Sequence, residues 1–145
     1  MNWQKVSIER LKVYEDRKRS AENIPEQLEN LKNSFGAIRA ASHDATAVKG
    51  GGNTREDALI NNIVMREELQ RNLDIVISEI GTTEKGLNSL TKEQRLILEK
   101  FYICRTHNYI EDLCEELCVE RSRIYTLKDE ALKRFTISCY GVVEI

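Results

Sequence analysis

Leu11, Tyr14, Ala21, Ile24, Leu28, Leu31, Phe35 and Ile38 recur at steps of three, four or seven, which places them on one stripe of a helix. The run RLKVYEDRKRSAEN supplies charged residues for the opposite face. Pro25 has no N–H to donate, so the pattern predicts a kink or short break near Asn23–Pro25. From Ala40 to Thr54 the sequence AASHDATAVKGGGNT has no period and three consecutive glycines, which predicts a flexible loop over about 40–53. Thr54 is then the expected N-cap of a second long helix, with Glu56 and Asp57 complementing the dipole of its first turn. Leu59, Ile63, Leu69, Leu73, Val76, Ile77 and Ile80 line one face of it, and Gly81 is the expected stop. Roughly 27 residues of helix would span about 40 Å and cannot bury their stripe alone. The stripe must meet the first helix, a second copy of the chain, or both. Residues 1–80 therefore read as an oligomerising helical arm, with Leu28, Leu31, Leu59, Ile63, Leu69, Leu73, Val76 and Ile80 as the oligomerisation candidates.

GTTEKGLNS, residues 81–89, reads as a hinge. A third helix is predicted in LTKEQRLILEKFYI: Thr91 and Gln94 form the capping-box pattern, and Ile97, Leu98, Phe101 and Tyr102 are its core candidates. CRTHN reads as a loop, and Asn108 with Glu111 as a second cap for the helix YIEDLCEEL. That helix is interrupted at CVE and resumes at once with RSR. The interruption has the spacing of a helix-turn-helix: Cys114 at the small crossing position, Cys118 in the turn and Val119 just after it. Ile124 and Leu127 then face inward from the second helix, and Leu113 and Leu117 complete the buried side of the first. The outward positions are Glu120, Arg121, Ser122, Arg123, Tyr125, Thr126, Lys128 and Asp129. In a helix-turn-helix the first turns of the second helix enter the DNA major groove, where Arg reads guanine edges and hydroxyls hold phosphates. Arg121, Ser122, Arg123, Tyr125, Thr126 and Lys128 are accordingly the DNA-binding candidates. No strand pattern is convincing, and the predicted fold class is all-α: a long helical hairpin or coiled-coil arm followed by a small helix-turn-helix domain over 90–136, with 137–145 as a tail.

Charge sharpens this picture only locally. The net charge is −2, and no segment is polybasic, so a nucleic-acid contact must come from a patch. Residues 120–135 carry five Lys/Arg against three Asp/Glu, whereas the preceding helix carries Glu111, Asp112, Glu115 and Glu116. The first twenty residues lack the apolar run of a signal peptide, and no window has the length of a membrane span, so a cytoplasmic protein is expected. Cys104, Cys114, Cys118 and Cys139 then read as reduced thiols, with Cys114 and Cys118 as small buried hydrophobes and not metal ligands. His43 and His107 have no carboxylate or nucleophile positioned nearby in sequence, and KGGGNT lacks the Lys-Ser/Thr of a phosphate loop. No catalysis, cofactor or metal is expected.

From Leu90 to Phe135 the chain resembles the promoter-reading C-terminal domain of sigma factors, the sigma-70 region 4 type. The positions that carry the resemblance are Leu90, Thr91, Arg95, Leu98, Tyr102, Leu113, Leu117, Val119, Ser122, Ile124, Tyr125, Ala131 and Leu132. With a long helical arm ahead of it, the whole chain resembles the small Gram-positive phage regulators of late-gene transcription, the ArpU/RinA-like group. The resemblance implies a phage or prophage transcription activator that binds double-stranded DNA near promoters and touches RNA polymerase. The sequence departs from the pattern at Cys118, where Gly is usual, at Glu120, where Ser is usual, and at Cys114, where Ala is usual. Glu120 is a poor cap and repels phosphate.

The expected function is a sequence-specific DNA-binding regulator, dimeric through its arm, reading the groove with helix 121–135. Two alternatives stand beside it. One is a sigma-like module that docks on RNA polymerase through its acidic residues without DNA specificity of its own. The other is a small-terminase-like packaging subunit, a class that usually places its DNA-binding domain first.

Overall fold

The computed structural model describes residues 1–44 and 52–144 and is all-α. Its helices are α1 (Trp3–Lys12), α2 (Tyr14–Asp44), α3 (Gly52–Asn88), α4 (Lys92–Leu98), α5 (Tyr109–Leu117) and α6 (Arg121–Tyr140), with a π-helical turn, Glu99–Ile103, continuing α4. Among the described residues the only β pairing is an isolated antiparallel bridge between Asn2 and Glu144. The chain divides into two units: residues 18–77 form one, and residues 1–17 together with 78–145 form the other.

In the unit of residues 18–77, α2 and α3 run antiparallel. Asn62 is buried and donates from Nδ2 to the Leu31 carbonyl at 2.8 Å, while its Oδ1 accepts from Arg66 Nε at 2.9 Å. The Arg66 guanidinium lies 5.0 Å from the Phe35 ring centroid. Ile24 and Leu73 are buried, and Leu28, Leu31, Leu59, Leu69 and Val76 are half-buried. The two predicted stripes are therefore mated inside one chain. Pairing within the hairpin thus covers part of the surface of the residues expected to mediate oligomerisation. Only Ile63 of that set is exposed, and Ile80 packs in the other unit.

Three expected boundaries also change. Helix α2 passes through Pro25 without a break: Pro25 faces solvent while neighbouring Ile24 is buried, so packing on one side holds the helix where one N–H is missing. Of the predicted loop at about 40–53, the residues as far as Asp44 belong to α2 and those from Gly52 belong to α3, so Thr54 lies inside the helix and not at its cap. Residues 45–51 lie outside the described residues. The hinge expected at 81–89 is helix as far as Asn88. Gly81 costs that helix about 1 kcal/mol of propensity, but Ile80, Thr83 and Leu87 pack on either side of it and carry it through.

The second unit has two cores that share α6. The first gathers Leu11, Tyr14, Leu87, Leu98, Ala131, Leu132 and Phe135, from α1, α2, the end of α3, α4 and the second half of α6. The second gathers Ile97, Phe101, Ile110, Leu113 and Ile124, from α4, the π turn, α5 and the first half of α6. The extra residue of the π turn aims Phe101 into one core and Ile103 into the other, with Tyr102 touching both. Thr91 and Gln94 form the predicted capping box, with bonds of 3.1 and 3.2 Å.

Residues 1–17 were expected in the arm, and instead they close the first core. The Thr136 hydroxyl donates to Ser7 Oγ at 2.8 Å, and both side chains are fully buried. Trp3 stacks on Tyr140 with centroids 4.9 Å apart. Arg10 ties three helices together: Nε donates to the Tyr140 hydroxyl (2.6 Å), Nη1 to the Glu79 carbonyl (3.0 Å), and Nη2 meets the Glu79 carboxylate (2.6 Å). Burial opposes its charge, but Tyr140 and Glu79 outweigh that and raise its pKa. The predicted tail 137–145 also gains structure, since α6 continues to Tyr140 and Gly141 caps it at φ 81°, a conformation glycine adopts without strain. At Gly86 a Cβ would lie 2.5 Å from Cys139 Sγ and 2.7 Å from Phe135 Cε2, so α3 and α6 approach there as only glycine permits.

Gly86→Ala is expected to destabilise the fold by about 1–3 kcal/mol. Gly81→Ala, whose added Cβ meets nothing within 4 Å, is expected to stabilise it by about 0.5–1 kcal/mol; urea denaturation of both variants checks the pair. Burial, together with a 2.9 Å hydrogen bond to Glu84, pushes the Tyr14 phenol up to about 12 from its ordinary 10.0. A raised folded-state pKa contributes stability in full below pH 10.0, and that contribution is lost as pH rises to about 12. Tyr14→Phe should therefore flatten the loss of stability over that interval in alkaline denaturation.

Candidate nucleic-acid interface

The interruption at CVE is a turn of three residues between α5 and α6. Cys118 ends α5 in the left-handed conformation (φ 55°, ψ 45°), the only non-glycine residue with positive φ among those described. The Val119 N–H donates back to the Cys114 carbonyl at 3.2 Å, the six-to-one bond of a Schellman stop. Glu120 is extended (φ −74°, ψ 158°) and occupies the N-cap position of α6 without a side-chain cap bond. Asn108, expected to cap α5, likewise makes no side-chain cap bond, because its own backbone (φ −108°, ψ 40°) is not in the extended conformation from which a side chain reaches the first turn.

The structure brings the predicted turn core together. Leu113 and Ile124 are fully buried, and Cys114, Leu117, Val119 and Leu127 pack around them. Cys118 is exposed, which corrects its reading as a buried hydrophobe: the left-handed turn swings its side chain outward. Among the described residues no three His, Cys, Asp or Glu side chains come together as metal ligands would.

Arg121, Ser122, Arg123, Tyr125 and Thr126 are exposed on the leading turns of α6. Arg121 Nη1 lies 3.8 Å from Glu111 Oε1 with both side chains 66% exposed, a contact of small energy that a stronger anion displaces. Tyr125 keeps 40% of its surface exposed, with its ring edge-on to Phe101 at 6.0 Å. The Thr126 hydroxyl donates back to the Ser122 carbonyl at 3.3 Å. Lys128 differs from the others. Its ammonium sits 2.7 Å from Asp129 and 5.8 Å from the Phe101 centroid, and burial works against its charge while Asp129 raises its pKa. It is drawn onto the second core and is half-buried.

Ser122, Thr126, Asp129 and Lys133 recur at steps of four, three and four, and they make the row opposite buried Ile124 and Ala131. Lys133 was missed in the sequence reading although this spacing points to it. Arg105, exposed before α5 with its guanidinium 4.4 Å from the Tyr109 centroid, was also missed because it lies in a loop without a period. The exposed acids Glu111, Asp112, Glu115 and Glu116 cover α5, whereas Arg121, Arg123, Lys133 and Arg134 are exposed on α6.

No described helix is long and apolar enough to cross a membrane. The model of a family described as a protein of unknown function, DUF1492, matches residues 37–136. The chain belongs to that family. The DUF1492 match takes in α3, α4, the π turn, α5 and α6 as far as Thr136, and leaves α1 and most of α2 outside it. No curated protein and no solved structure matches the chain.

Cys118→Gly relieves the left-handed strain and is expected to stabilise the protein by about 1 kcal/mol. Glu120→Ser supplies the missing cap and is expected to add about 0.5–2 kcal/mol. The two should be close to additive in thermal denaturation only if turn and cap act independently, and a double-mutant cycle reads that directly.

Proposed function

We propose that this chain is a sequence-specific DNA-binding regulator of transcription, of the phage late-gene activator type, acting in the host cytoplasm. Arg121, Ser122, Arg123, Tyr125 and Thr126 enter the major groove, with Lys133 farther along the same row. Dimerisation through the arm places two such helices on one duplex, which makes the second contact intramolecular and raises affinity without new contacts. The observation that carries the reading is the three-residue turn with left-handed Cys118, which sets an exposed, arginine-flanked α6 start beside a fully buried Leu113–Ile124 core. Anchoring supports it as well, because the second half of α6 is held in a separate core and the leading turns are presented on a fixed support.

One observation favours a second reading. Arg121 is paired with Glu111, Lys128 is occupied by Asp129, and acids cover α5, so the same face also suits a basic surface on RNA polymerase.

Selection from a random duplex pool tests the proposal. A recovered two-fold repeat, with half-sites one or more helical turns apart, is expected. Arg121→Glu with Arg123→Glu should then weaken binding to the selected site by about tenfold or more per residue in fluorescence anisotropy. Failure to enrich any sequence, with retention of polymerase binding in the charge-reversed protein, would favour the docking module instead.

A further inference from the structure

Arg105 is exposed in the loop before α5, and its guanidinium carbon lies 4.4 Å from the Tyr109 ring centroid. Tyr109 in turn stands edge-on to Phe101 at 5.2 Å, and Phe101 stands edge-on to Tyr125 at 6.0 Å. Phe101 is buried in the core of the turn, with Ile97, Ile110, Leu113 and Ile124. One anchored ring therefore supports Tyr125, on the leading turns of α6, and Tyr109, on which Arg105 lies. The two centroid distances hold Tyr109 and Tyr125 closer together than the major groove is wide, about 12 Å. A second tie joins the same two places: Glu111, in the first turn of α5, meets Arg121 at the start of α6 at 3.8 Å.

Charge sets Arg105 apart from two neighbouring cations. Arg121 is paired with Glu111, and Lys128 with Asp129 at 2.7 Å. Arg105 makes no ion pair among the described residues. Asp112, an acid of the first turn of α5, accepts a hydrogen bond from the Thr106 hydroxyl at 3.4 Å. Stacking on a ring restrains a guanidinium without neutralising it, and leaves the N–H donors in the plane of the group free. Such a fork matches two oxygens of a phosphate. We infer that Arg105 grips the phosphodiester backbone of duplex DNA at the edge of the groove that α6 enters, with Tyr109 as its positioning residue. Arg105 has this task only if α6 reads the groove as proposed above. Its contact fixes the register of the protein on the duplex and carries no sequence information.

Fluorescence anisotropy of the full chain, over a series of salt concentrations, tests this on the duplex recovered by selection and on a scrambled duplex of equal length. Arg105→Ala should weaken binding to both duplexes by the same factor, about fivefold to tenfold at roughly 0.1 M salt. The slope of log affinity against log salt should fall in magnitude by about 0.9, as the loss of one phosphate contact requires. Arg105→Lys should keep that slope and lose part of the affinity, since it holds the charge but not the stacked fork. Tyr109→Leu should weaken binding in the natural chain and add little beside Arg105→Ala, whereas a purely structural role would weaken both alike. Natural protein that binds neither duplex overturns the DNA-binding reading itself. Natural protein that binds, with affinity and slope unmoved by Arg105→Ala, overturns the backbone contact alone. A loss confined to the selected duplex overturns it too, because Arg105 would then be reading bases.

Discussion

Helix α6 is shared between two cores, and most of the architecture follows from that sharing. Its first half supplies Ile124 to the core of the turn, and its second half supplies Ala131, Leu132 and Phe135 to a core built from α1, the start of α2, α4 and the end of α3. A helix pinned at its far half cannot roll without disturbing Phe135 against Gly86 or Thr136 against Ser7. Its near half is therefore offered to solvent in one orientation. This is the condition a reading helix needs, because base-edge contacts depend on direction as well as on charge.

The turn was legible in the sequence because its requirements are local: a small residue, a tolerant residue and apolar residues at fixed spacings. The capping box at Thr91 and Gln94 was legible for the same reason. What misled was punctuation. Pro25 and Gly81 look like breaks, yet the helices run through both, since propensity costs of about 3 kcal/mol for Pro and about 1 kcal/mol for Gly yield to the burial of Ile24 and Leu87 and the packing of Ile80. The place of residues 1–17 was not legible at all. Leu11 and Tyr14 fit the arm's stripe as well as they fit the core beside Phe135, and nothing in a period of three and four distinguishes partners far apart in sequence.

The charge arrangement on α6 is a compromise between two demands. Arg121 and Arg123 flank a row that holds Asp129 in its middle, and Glu120 stands at the entrance. On the proposed DNA-binding reading, such a face attracts a polyanion only weakly, and salt weakens that attraction further.

The antiparallel bridge between Asn2 and Glu144 has a bearing on how the molecule comes to be folded. The unit that holds α6 is discontinuous, with segment 18–77 inserted between its two pieces. Its long-range contacts, Ser7 with Thr136 and Arg10 with Tyr140, span nearly the whole chain, a high contact order for a helical protein. The α2–α3 hairpin shortens that distance when it zips, because antiparallel pairing brings its own two ends together and leaves a much smaller loop to close. The topology thus lets the α2–α3 hairpin reduce the loop that the contacts closing the other unit must span.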